Sequence, residues 1–357
     1  MKVYKFGGAS VNDAEGIRNL VKIVSCERDD LVIVVSAFGK TTNALEKVLR
    51  AWLTGDNGYE TLLNNIFRNH LDIVNGLFTG SSAAREKTVN LYTYLGEFLH
   101  TRKHSDYDTD YDQVVSYGEL LSTVIVAEYL AASICSVTWI DIREMLITDG
   151  RHRDANIIWG ESARRVKAAF NFEKSRIYVT QGFIGGTAGG KTTTLGREGS
   201  DYTAAIPANM LDAERVVIWK DVPGLLNADP KWFPEAEKLE EISYKEAVEM
   251  TFSGAKVIHP KTIKPLHNKS IPLHVRSFMD IDDKGTIIKA DAVLKKIVPV
   301  FIRKEEQILI SILPRDFSFV MGDNLGKIFH SFMLHGIKVN LVEAGAADRR
   351  RADEEDR

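Results

Sequence analysis

The sequence predicts an α/β protein in which a mainly parallel sheet is sandwiched by helices, with a helical insertion and a small C-terminal α+β module. Short β-rich runs alternate with longer amphipathic runs, which is typical of βαβ units. Residues 43–133 have an almost wholly helical pattern, which predicts the insertion, and its exposed turn is expected at Thr101–Asp112. The predicted strands are Lys2–Phe6, Leu31–Ala37, Val137–Ile142, Arg176–Ile184 and Arg215–Lys220.

The pattern divides the chain into three parts. Residues 1–292 carry the alternating pattern and are expected to form one large domain. From Lys296 the pattern restarts as β-β-α-β (IVPVFIR, QILISILP, GDNLGKIFHSFMLHG, IKVNLVE), which predicts a small module over 293–343. Residues 344–357 are charged and almost free of large apolar groups, so we expect a disordered tail.

Composition excludes several classes of partner. The 357 residues include 46 Lys plus Arg and 49 Asp plus Glu, and the net charge of −3 gives no reason to expect nucleic acid or an anionic membrane. Cys26 and Cys135 are too few for a disulfide framework, which favours a reduced, cytoplasmic setting. We expect no signal peptide and no membrane anchor, because neither the N-terminus nor any longer run has the required apolar core.

A metal site is not expected. His100 and His104 lie four residues apart on a predicted helix, but no carboxylate or third ligand follows at the spacing of a metal site. We interpret the pair as part of a solvated helix face.

The segment Gly185–Thr192 (GGTAGGKT) matches the P-loop pattern G-x-x-x-x-G-K-[ST]. A P-loop needs a helix that begins at its Lys-Thr, so that backbone N–H groups face the phosphates. The next residues, TTTLGREG, are poor helix formers, and a helix is predicted only from Ser200, as an N-cap, with Asp201 in its first turn. The anion site is therefore expected at residues 196–201, although the same residues also suit a flexible surface turn.

Two glycine-containing or hydroxyl-containing turns follow the first two predicted strands. Lys5 ends the first strand in the sequence KFGGAS, and the second strand ends in VVSAFGKTTN. Ligands of parallel sheets bind beyond the carboxyl ends of the strands, where both turns fall. Each turn alone is equally what a tight βα connection requires.

Two later segments also carry lysines beside turn residues. They are Lys220–Lys231 (KDVPGLLNADPK) and Ser253–Pro260 (SGAKVIHP). Each alone is better interpreted as a surface loop.

Taken in order, these segments resemble the aspartate kinases of the amino-acid kinase superfamily. The resemblance rests on KFGGAS (5–10), VVSAFGKTTNAL (34–45), SYGELLS (116–122), GFIGGTAGGKTTTLGREGSDYTAA (182–205), IWKDVPGLLNADPK (218–231) and SYKEAVEMTFSGAKVIHPKTI (243–263). It implies the fold of that superfamily, which uses no P-loop, so GGTAGGKT is expected in a hairpin-like loop.

The resemblance implies transfer of the γ-phosphoryl group of ATP, with Mg²⁺, to the β-carboxylate of L-aspartate. The product is 4-phospho-L-aspartate, which opens the pathway to lysine, threonine and methionine. Because a carboxylate is already ionised at pH 7, the reaction needs no general base. The site must instead supply alignment and positive charge.

The resemblance also implies roles for single residues. Lys5 would contact the transferred phosphoryl group, Lys256 the nucleotide phosphates, and Asp201 would orient the lysines or meet the ammonium group. The implied substrate-binding residues are Ser36, Thr42, Glu119, Arg197, Glu198, Gly199 and Ser200, with Glu119 suiting the α-ammonium and Arg197 a carboxylate. The implied nucleotide-binding residues are Lys5, Gly7, Gly8, Ser10, Lys220, Asp221, Leu226, Asp229, Lys231, Lys256 and Val257.

Three positions depart from the family pattern: Ala9 replaces the usual Thr, Glu198 a common Gly, and Lys220 a common hydroxyl residue. The other motif residues remain, so activity is expected. No protein metal ligand is implied.

The C-terminal module resembles the start of an ACT regulatory domain. Members of the family usually carry two such domains, which bind lysine or threonine and join subunits, so the resemblance implies an amino-acid effector and a homodimer. Residues 296–343 are shorter than the two domains, and we expect an unpaired sheet edge to cause dimers or aggregation there. From the 357 residues we expect no homoserine dehydrogenase part.

Two alternatives stay open. One is a kinase of the same superfamily that acts on glutamate, N-acetylglutamate, carbamate or a nucleoside monophosphate; the SYGELLS helix and the long helical block favour aspartate. The other is a non-catalytic amino-acid sensor, which would have no need of Lys5 and Lys256.

Overall fold

The computed structural model describes residues 1–134, 136–255, 258–292, 298–305, 307–312, 322–337 and 339–343. The chain forms two compact units, Met1–Arg303 and Lys304–Arg357. The strands are β1 (Lys2–Phe6), β2 (Leu31–Val35), β3 (Val137–Ile140), β4 (Ile147–Thr148), β5 (Ile177–Gln181), β6 (Ile184–Thr187), β7 (Thr192–Thr194), β8 (Arg215–Lys220), β9 (Glu241–Ser243), β10 (Leu273–Ser277) and β11 (Thr286–Lys289). The helices are α1 (Ala14–Ser25), α2 (Thr41–Leu53), α3 (Gly58–Leu77), α4 (Ala83–Thr101), α5 (Tyr107–Val115), α6 (Tyr117–Ser133), α7 (Ile142–Met145), α8 (Trp159–Ala169), α9 (Gly199–Met210), α10 (Tyr244–Ser253), α11 (Pro260–His267) and α12 (Gly322–Leu334).

Within the described residues, eight strands form one sheet in the order β3-β5-β2-β1-β8-β10-β11-β9. All neighbours are parallel except β10 and β11, which confirms the predicted sheet. The five residues of β2 are all buried and mostly β-branched, as expected for a strand covered on both faces. In register, Lys5 lies beside Val34 of β2 and Ile218 of β8, so these three strands end at the same edge.

Alternate residues of β1 enter two different cores. Val3 packs in a core that includes Ala204 and Ile206 of α9, whereas Tyr4 and Phe6 pack with Ile17 of α1. Successive side chains of a strand point to opposite faces, so helices cover both sides of the sheet. The predicted sandwich is therefore confirmed.

The predicted helical insertion is present as α2 to α6. Helices α2 to α5 share a core of their own, whereas the buried apolar residues of α6 pack mainly in the cores of the sheet. The exposed turn predicted at Thr101–Asp112 is only partly correct. Helix α5 already begins at Tyr107, and the carboxyl groups of Asp110 and Asp112 are buried. They are tolerated there because each accepts hydrogen bonds, Asp110 from Ser105 and Asp112 from Thr194.

The segment Tyr107–Ser133 is long and apolar enough to span a membrane, but 78% of its most apolar window is buried inside the fold. Burial of α6 on every side explains the composition, since a core helix lacks a polar face. This segment is a core element of the first unit.

The predicted strand Arg176–Ile184 is in fact two strands, β5 and β6. The chain bends at Phe183, which has a left-handed φ of 68° and whose N–H donates to Thr203 Oγ1 at 2.9 Å. Strand β6 then pairs antiparallel with β7 in a small sheet with β4. The P-loop pattern therefore lies in a hairpin, as expected, and no helix begins at Lys191.

Helix α9 begins two residues earlier than predicted. Glu198, not Ser200, is the N-cap, and it has a left-handed φ of 54° without a side-chain capping bond. Gly182 explains the position, because a Cβ there would lie 2.5 Å from Ser200 Cβ, so the first turn packs directly on the end of β5. A local capping pattern cannot report such a contact.

In the second unit, α12 confirms the predicted helix. The described residues of the three runs around it, 298–303, 307–312 and 337–343 without 338, form no strand. A strand needs a neighbour to satisfy its backbone groups, which a sequence pattern alone does not supply. The first run also belongs to the larger unit, which ends at Arg303 rather than at residue 292. Residues 293–297 and the predicted tail 344–357 lie outside the described part.

Candidate active site

A cleft of about 610 Å³ lies where β1, β2 and β8 end and α9 begins. This is the edge at which ligands bind in parallel α/β sheets. Six stretches that are separate in sequence meet in it, namely residues 5–9, 36–42, 111–119, 153, 183–201 and 220. Its walls are formed by Lys5, Gly8, Ala9, Ser36, Ala37, Gly39, Thr42, Tyr111, Glu119, Arg153, Phe183, Thr194, Gly196, Arg197, Glu198, Gly199, Ser200, Asp201 and Lys220.

One side of the cleft is a cluster of paired charges. Lys5 Nζ lies 2.6 Å from Asp201 Oδ1, and Lys220 Nζ lies 3.4 Å from Asp201 Oδ2. Burial alone would raise the pKa of Asp201, but the two lysine charges outweigh it and hold the pKa below its usual value. The carboxylate is thus ionised at neutral pH and holds both ammonium groups at the sheet edge.

The turn after β1 and the turn after β2 are hydrogen-bonded to each other near this cluster. Gly39 N–H donates to the carbonyl of Gly8 at 2.9 Å, and Ser10 N–H donates to the carbonyl of Gly7 at 3.0 Å. A Cβ at Gly8 would lie 2.3 Å from the carbonyl oxygen of Ala37, so only glycine fits. The KFGG turn is therefore locked against the turn after β2.

The cleft also holds a second buried carboxyl group, which has little local compensation. Glu119, in the first turn of α6, is 3% exposed, and its Oε1 accepts a hydrogen bond from Ala37 N–H at 3.3 Å. Its Oε2 has no hydrogen-bond partner among the described residues. Burial raises the pKa of Glu119 to about 8. A ligand that brings an ammonium group would restore the ionised form.

The first turn of α9, which also carries Asp201, adds further lining residues. Glu198, Gly199 and Ser200 line the cleft there, and Arg197 stands exposed at its mouth. The positive end of a helix and a guanidinium both favour a carboxylate or phosphate. The cleft therefore offers partners for both charged ends of an amino acid.

Asp112 is a buried residue of this region that sequence reasoning missed. It is fully buried and accepts hydrogen bonds from Thr194 Oγ1 at 2.6 Å and from Arg153 N–H at 3.1 Å, while His152 Nδ1 lies 2.7 Å away. Burial raises the pKa of Asp112 despite these bonds. Asp112 thereby joins α5, β7 and the loop that presents Arg153.

Arg153 itself was also missed. Its guanidinium lies 4.8 Å above the ring of Tyr111, and both side chains line the cleft. The signal was present in the sequence as GRHRDA after β4, since basic residues beyond a strand end are candidates for anion binding.

The structure brings together eleven of the predicted site residues. They are Lys5, Gly8, Ser36, Thr42, Glu119, Arg197, Glu198, Gly199, Ser200, Asp201 and Lys220. Six predicted nucleotide-binding residues do not line the cleft, namely Gly7, Ser10, Asp221, Leu226, Asp229 and Lys231. Lys256 and Val257 lie outside the described residues.

Comparison with known proteins identifies relatives. The description "Amino acid kinase family" matches residues 1–277. Lysine-sensitive aspartokinase 3 of Escherichia coli is 31% identical over 344 residues, which cover 95% of this chain and 75% of the relative. A bifunctional aspartokinase/homoserine dehydrogenase 2 of Arabidopsis thaliana is 32% identical over 296 residues, and the match spans only 32% of that relative's length.

Solved structures agree with the sequence matches. The crystal structure of E. coli aspartokinase III in complex with aspartate and ADP superposes with a TM-score of 0.81 at 29% identity, covering 97% of this chain and 76% of the other. Clostridium acetobutylicum aspartate kinase superposes with a TM-score of 0.69 at 27% identity, covering 82% and 63%. By its fold, its cleft and these matches, the chain belongs to the amino acid kinase family, with aspartokinases as its relatives.

Proposed function

We propose that this protein is an aspartate kinase, which transfers the γ-phosphoryl group of ATP to the β-carboxylate of L-aspartate. One observation carries the proposal: a single cleft joins the Lys5–Asp201–Lys220 cluster to the unpaired carboxyl group of Glu119. The first arrangement suits a phosphoryl group, and the second suits the α-ammonium of an amino acid. The relative from E. coli was crystallised with aspartate and ADP, which is consistent with both.

The residues act in the reaction by charge and by position. The β-carboxylate of aspartate is ionised and attacks without a general base. Lys5 and Lys220 stabilise the negative charge that spreads over the phosphoryl oxygens in the transition state. Asp201 holds both lysines in place, so little reorganisation is needed when that charge develops.

Aspartate is oriented at its other end. Glu119 accepts the α-ammonium and Arg197 binds the α-carboxylate as a bidentate partner. Thr42 and Ser36 also line the cleft and would contact the bound amino acid. The enzyme therefore recognises the amino acid by both charges and leaves the side-chain carboxylate directed at the nucleotide.

Mg²⁺ is part of the proposal and would enter with ATP. In the part of the chain that the structure describes, no three His, Cys, Asp or Glu side chains lie together as a metal site. Phosphate oxygens are preferred ligands of Mg²⁺, so the nucleotide can carry it. The loop 221–231 with Lys256 and Val257 remains the predicted nucleotide-binding region, together with Gly7 and Ser10.

The alternatives fit the cleft less well. The α-nitrogen of N-acetylglutamate is an uncharged amide, which cannot compensate the carboxylate of Glu119. Glutamate is longer than aspartate by one methylene group and is distinguished by the assay below. A sensor without catalysis would gain nothing from two lysines held on one buried carboxylate, since burying charges costs free energy.

Regulation, assembly and location extend the proposal. E. coli aspartokinase III was also crystallised with lysine and aspartate, and its sequence match continues past residue 277, so a lysine effector and a homodimer are proposed for this chain. Residues 304–343 would supply an ACT-like part; Ile308, Leu309 and Leu341 there are exposed. The balanced charge fits a cytoplasmic enzyme.

The decisive assay traps the acyl phosphate with hydroxylamine while ATP consumption is followed. Aspartate, glutamate and N-acetylglutamate are offered in parallel. We expect hydroxamate from aspartate alone. Turnover with another substrate would assign a different kinase, and no turnover with any of them would refute the kinase proposal.

A further inference from the structure

A second cavity lies on the other face of the large sheet. It encloses about 320 Å³ between the end of α1 and strands β1, β8 and β10. Tyr4 and Trp219 line this cavity, whereas their chain neighbours Lys5 and Lys220 line the cleft. Successive side chains of a strand point to opposite faces, so the sheet separates the two sites. We call it the sheet cavity.

The sheet cavity is rich in nitrogen donors. Arg215, His274 and Arg276 line it. The guanidinium of Arg276 stacks 4.7 Å from the ring of Trp219 and donates to the backbone carbonyls of the 281–283 turn, which fixes its plane. Trp219 is 1% exposed, and its indole N–H has no hydrogen-bond partner among the described residues.

Two carboxylates, Glu27 and Asp282, line the cavity. One is already hydrogen-bonded to other residues, and the other is exposed to solvent. Glu27 accepts hydrogen bonds from Lys2 and from the hydroxyl of Tyr4 at 2.6 Å. Although burial would raise the pKa of Glu27, these bonds lower it to about 2. Asp282 is exposed.

Arg215 forms an ion pair with its chain neighbour Glu214 at 3.3 Å. The guanidinium groups and the indole N–H of Trp219, which has no partner in the described part of the chain, could therefore be joined by an acceptor from outside.

His274 adds no positive charge to the cavity at neutral pH. Burial, followed by the charges of Arg215, Arg276 and Lys289, lowers the pKa of His274 to about 4. The imidazole is therefore neutral, and Arg215 and Arg276 are the cationic side chains that line the cavity.

The walls also include carbon surface from Ile23, Val217 and Ile281, which an inorganic anion would leave unused. Planar guanidinium groups match carboxylates in bidentate geometry. We propose that the sheet cavity is a binding site for a small organic carboxylate, distinct from the cleft. Its volume lies at the lower end of the range for small-molecule sites.

The test uses succinate as the probe, the full chain, and Trp fluorescence as the readout. Trp219 lies in the cavity, so succinate should change the emission, and Trp219→Phe should remove that change. Arg215→Ala should weaken succinate binding by about tenfold or more, because a hydrogen bond to a charged group is lost. Arg197→Ala, which alters only the cleft, is the matched control and should leave the fluorescence titration unchanged.

Circular dichroism verifies folding, and Arg215→Gln serves if the alanine variant unfolds. Unchanged affinity in the folded Arg215 variant, or no fluorescence response at millimolar succinate, would overturn the proposal. Tighter binding of inorganic phosphate than of succinate would overturn the carboxylate assignment. None of these readouts depends on turnover, so the result is independent of the proposed kinase activity.

Discussion

Two buried carboxyl groups line the cleft, and their surroundings differ. Asp201 lies between Lys5 and Lys220, which hold its pKa low, whereas Glu119 has one backbone donor and a pKa raised to about 8. The Lys5–Asp201–Lys220 cluster, which we call the lysine side, has its carboxylate paired with both ammonium groups before any ligand binds. On the Glu119 side, Oε2 has no hydrogen-bond partner among the described residues, so the ammonium group of a ligand would complete it.

This difference separates two tasks. Groups that stabilise a transition state act best when they are already in position, because reorganisation during the reaction costs free energy. A group that selects a substrate gains by remaining unpaired, since only the correct ligand satisfies it. The following predictions test this division, from the largest expected effect to the smallest.

The lysine side is tested by Lys5→Ala. We expect turnover to fall by about 10³-fold or more, because a preorganised positive charge at the phosphoryl group is lost. The fold should be retained, since Lys220 still pairs with Asp201. Steady-state kinetics and circular dichroism measure the two effects.

Lys191→Ala is the matched control, because Lys191 is the exposed lysine of the P-loop pattern. Its turnover should equal that of the unaltered protein. An active Lys5→Ala variant, or an inactive Lys191→Ala variant, would reverse the assignment of the phosphate site.

The Glu119 side is tested by Glu119→Gln, which keeps the shape and the acceptor for Ala37 N–H. The KM for aspartate should rise by about 10- to 100-fold, because a hydrogen bond to a charged group contributes about 1.5 to 3 kcal/mol. The effect on kcat should be smaller. Glu128→Gln on the same helix, where Glu128 pairs with Lys87 at the surface, should leave KM unchanged. A large fall in kcat with constant KM would place Glu119 among the transition-state groups.

The connection between the two sides is tested by Gly8→Ala. The added Cβ would meet the carbonyl of Ala37, and we expect the free energy of unfolding to fall by about 1 to 3 kcal/mol. Gly96→Ala, with no atom near its Cβ position, should be neutral or stabilising. Urea denaturation measures both variants. Equal stability of the two would mean that the turns are not locked together.

The unpaired state of Glu119 also predicts a pH dependence. Its pKa is raised from 4.5 to about 8 in the folded protein, so the stability that it contributes is fully present below pH 4.5 and is lost as the pH rises through about 8. Relative to Glu119→Gln, the free energy of unfolding should fall by roughly 1 kcal/mol per pH unit between these values. Denaturation of both proteins across this range measures the slope. Parallel pH profiles would show that Glu119 is ionised without a ligand.

The sequence was sufficient for much of the fold. The alternation of β-rich and amphipathic runs predicted β1, β2, β3, β5 and β8 and the helical insertion, because buried strands and helices leave strong local patterns. It failed at Phe183, where one predicted strand is two, and at Glu198, where a left-handed residue begins α9. Both positions depend on packing against segments that are distant in sequence.

The site was predicted less completely. Lys5, Glu119, Arg197 and Asp201 were predicted because they lie in ordered motifs, and all four line the cleft. Asp112 was missed because it was assigned to an exposed turn, although it is fully buried.

The sequence by itself determined the family, the order of elements and the residue types at the ends of the strands. Only the tertiary structure decided that Lys5 and Lys220 share the carboxylate of Asp201, while Oε2 of Glu119 has no hydrogen-bond partner among the described residues. The reason is physical: secondary structure reflects neighbours along the chain, whereas charge pairing, burial and protonation depend on distances between atoms that parallel strand register and helix packing bring together.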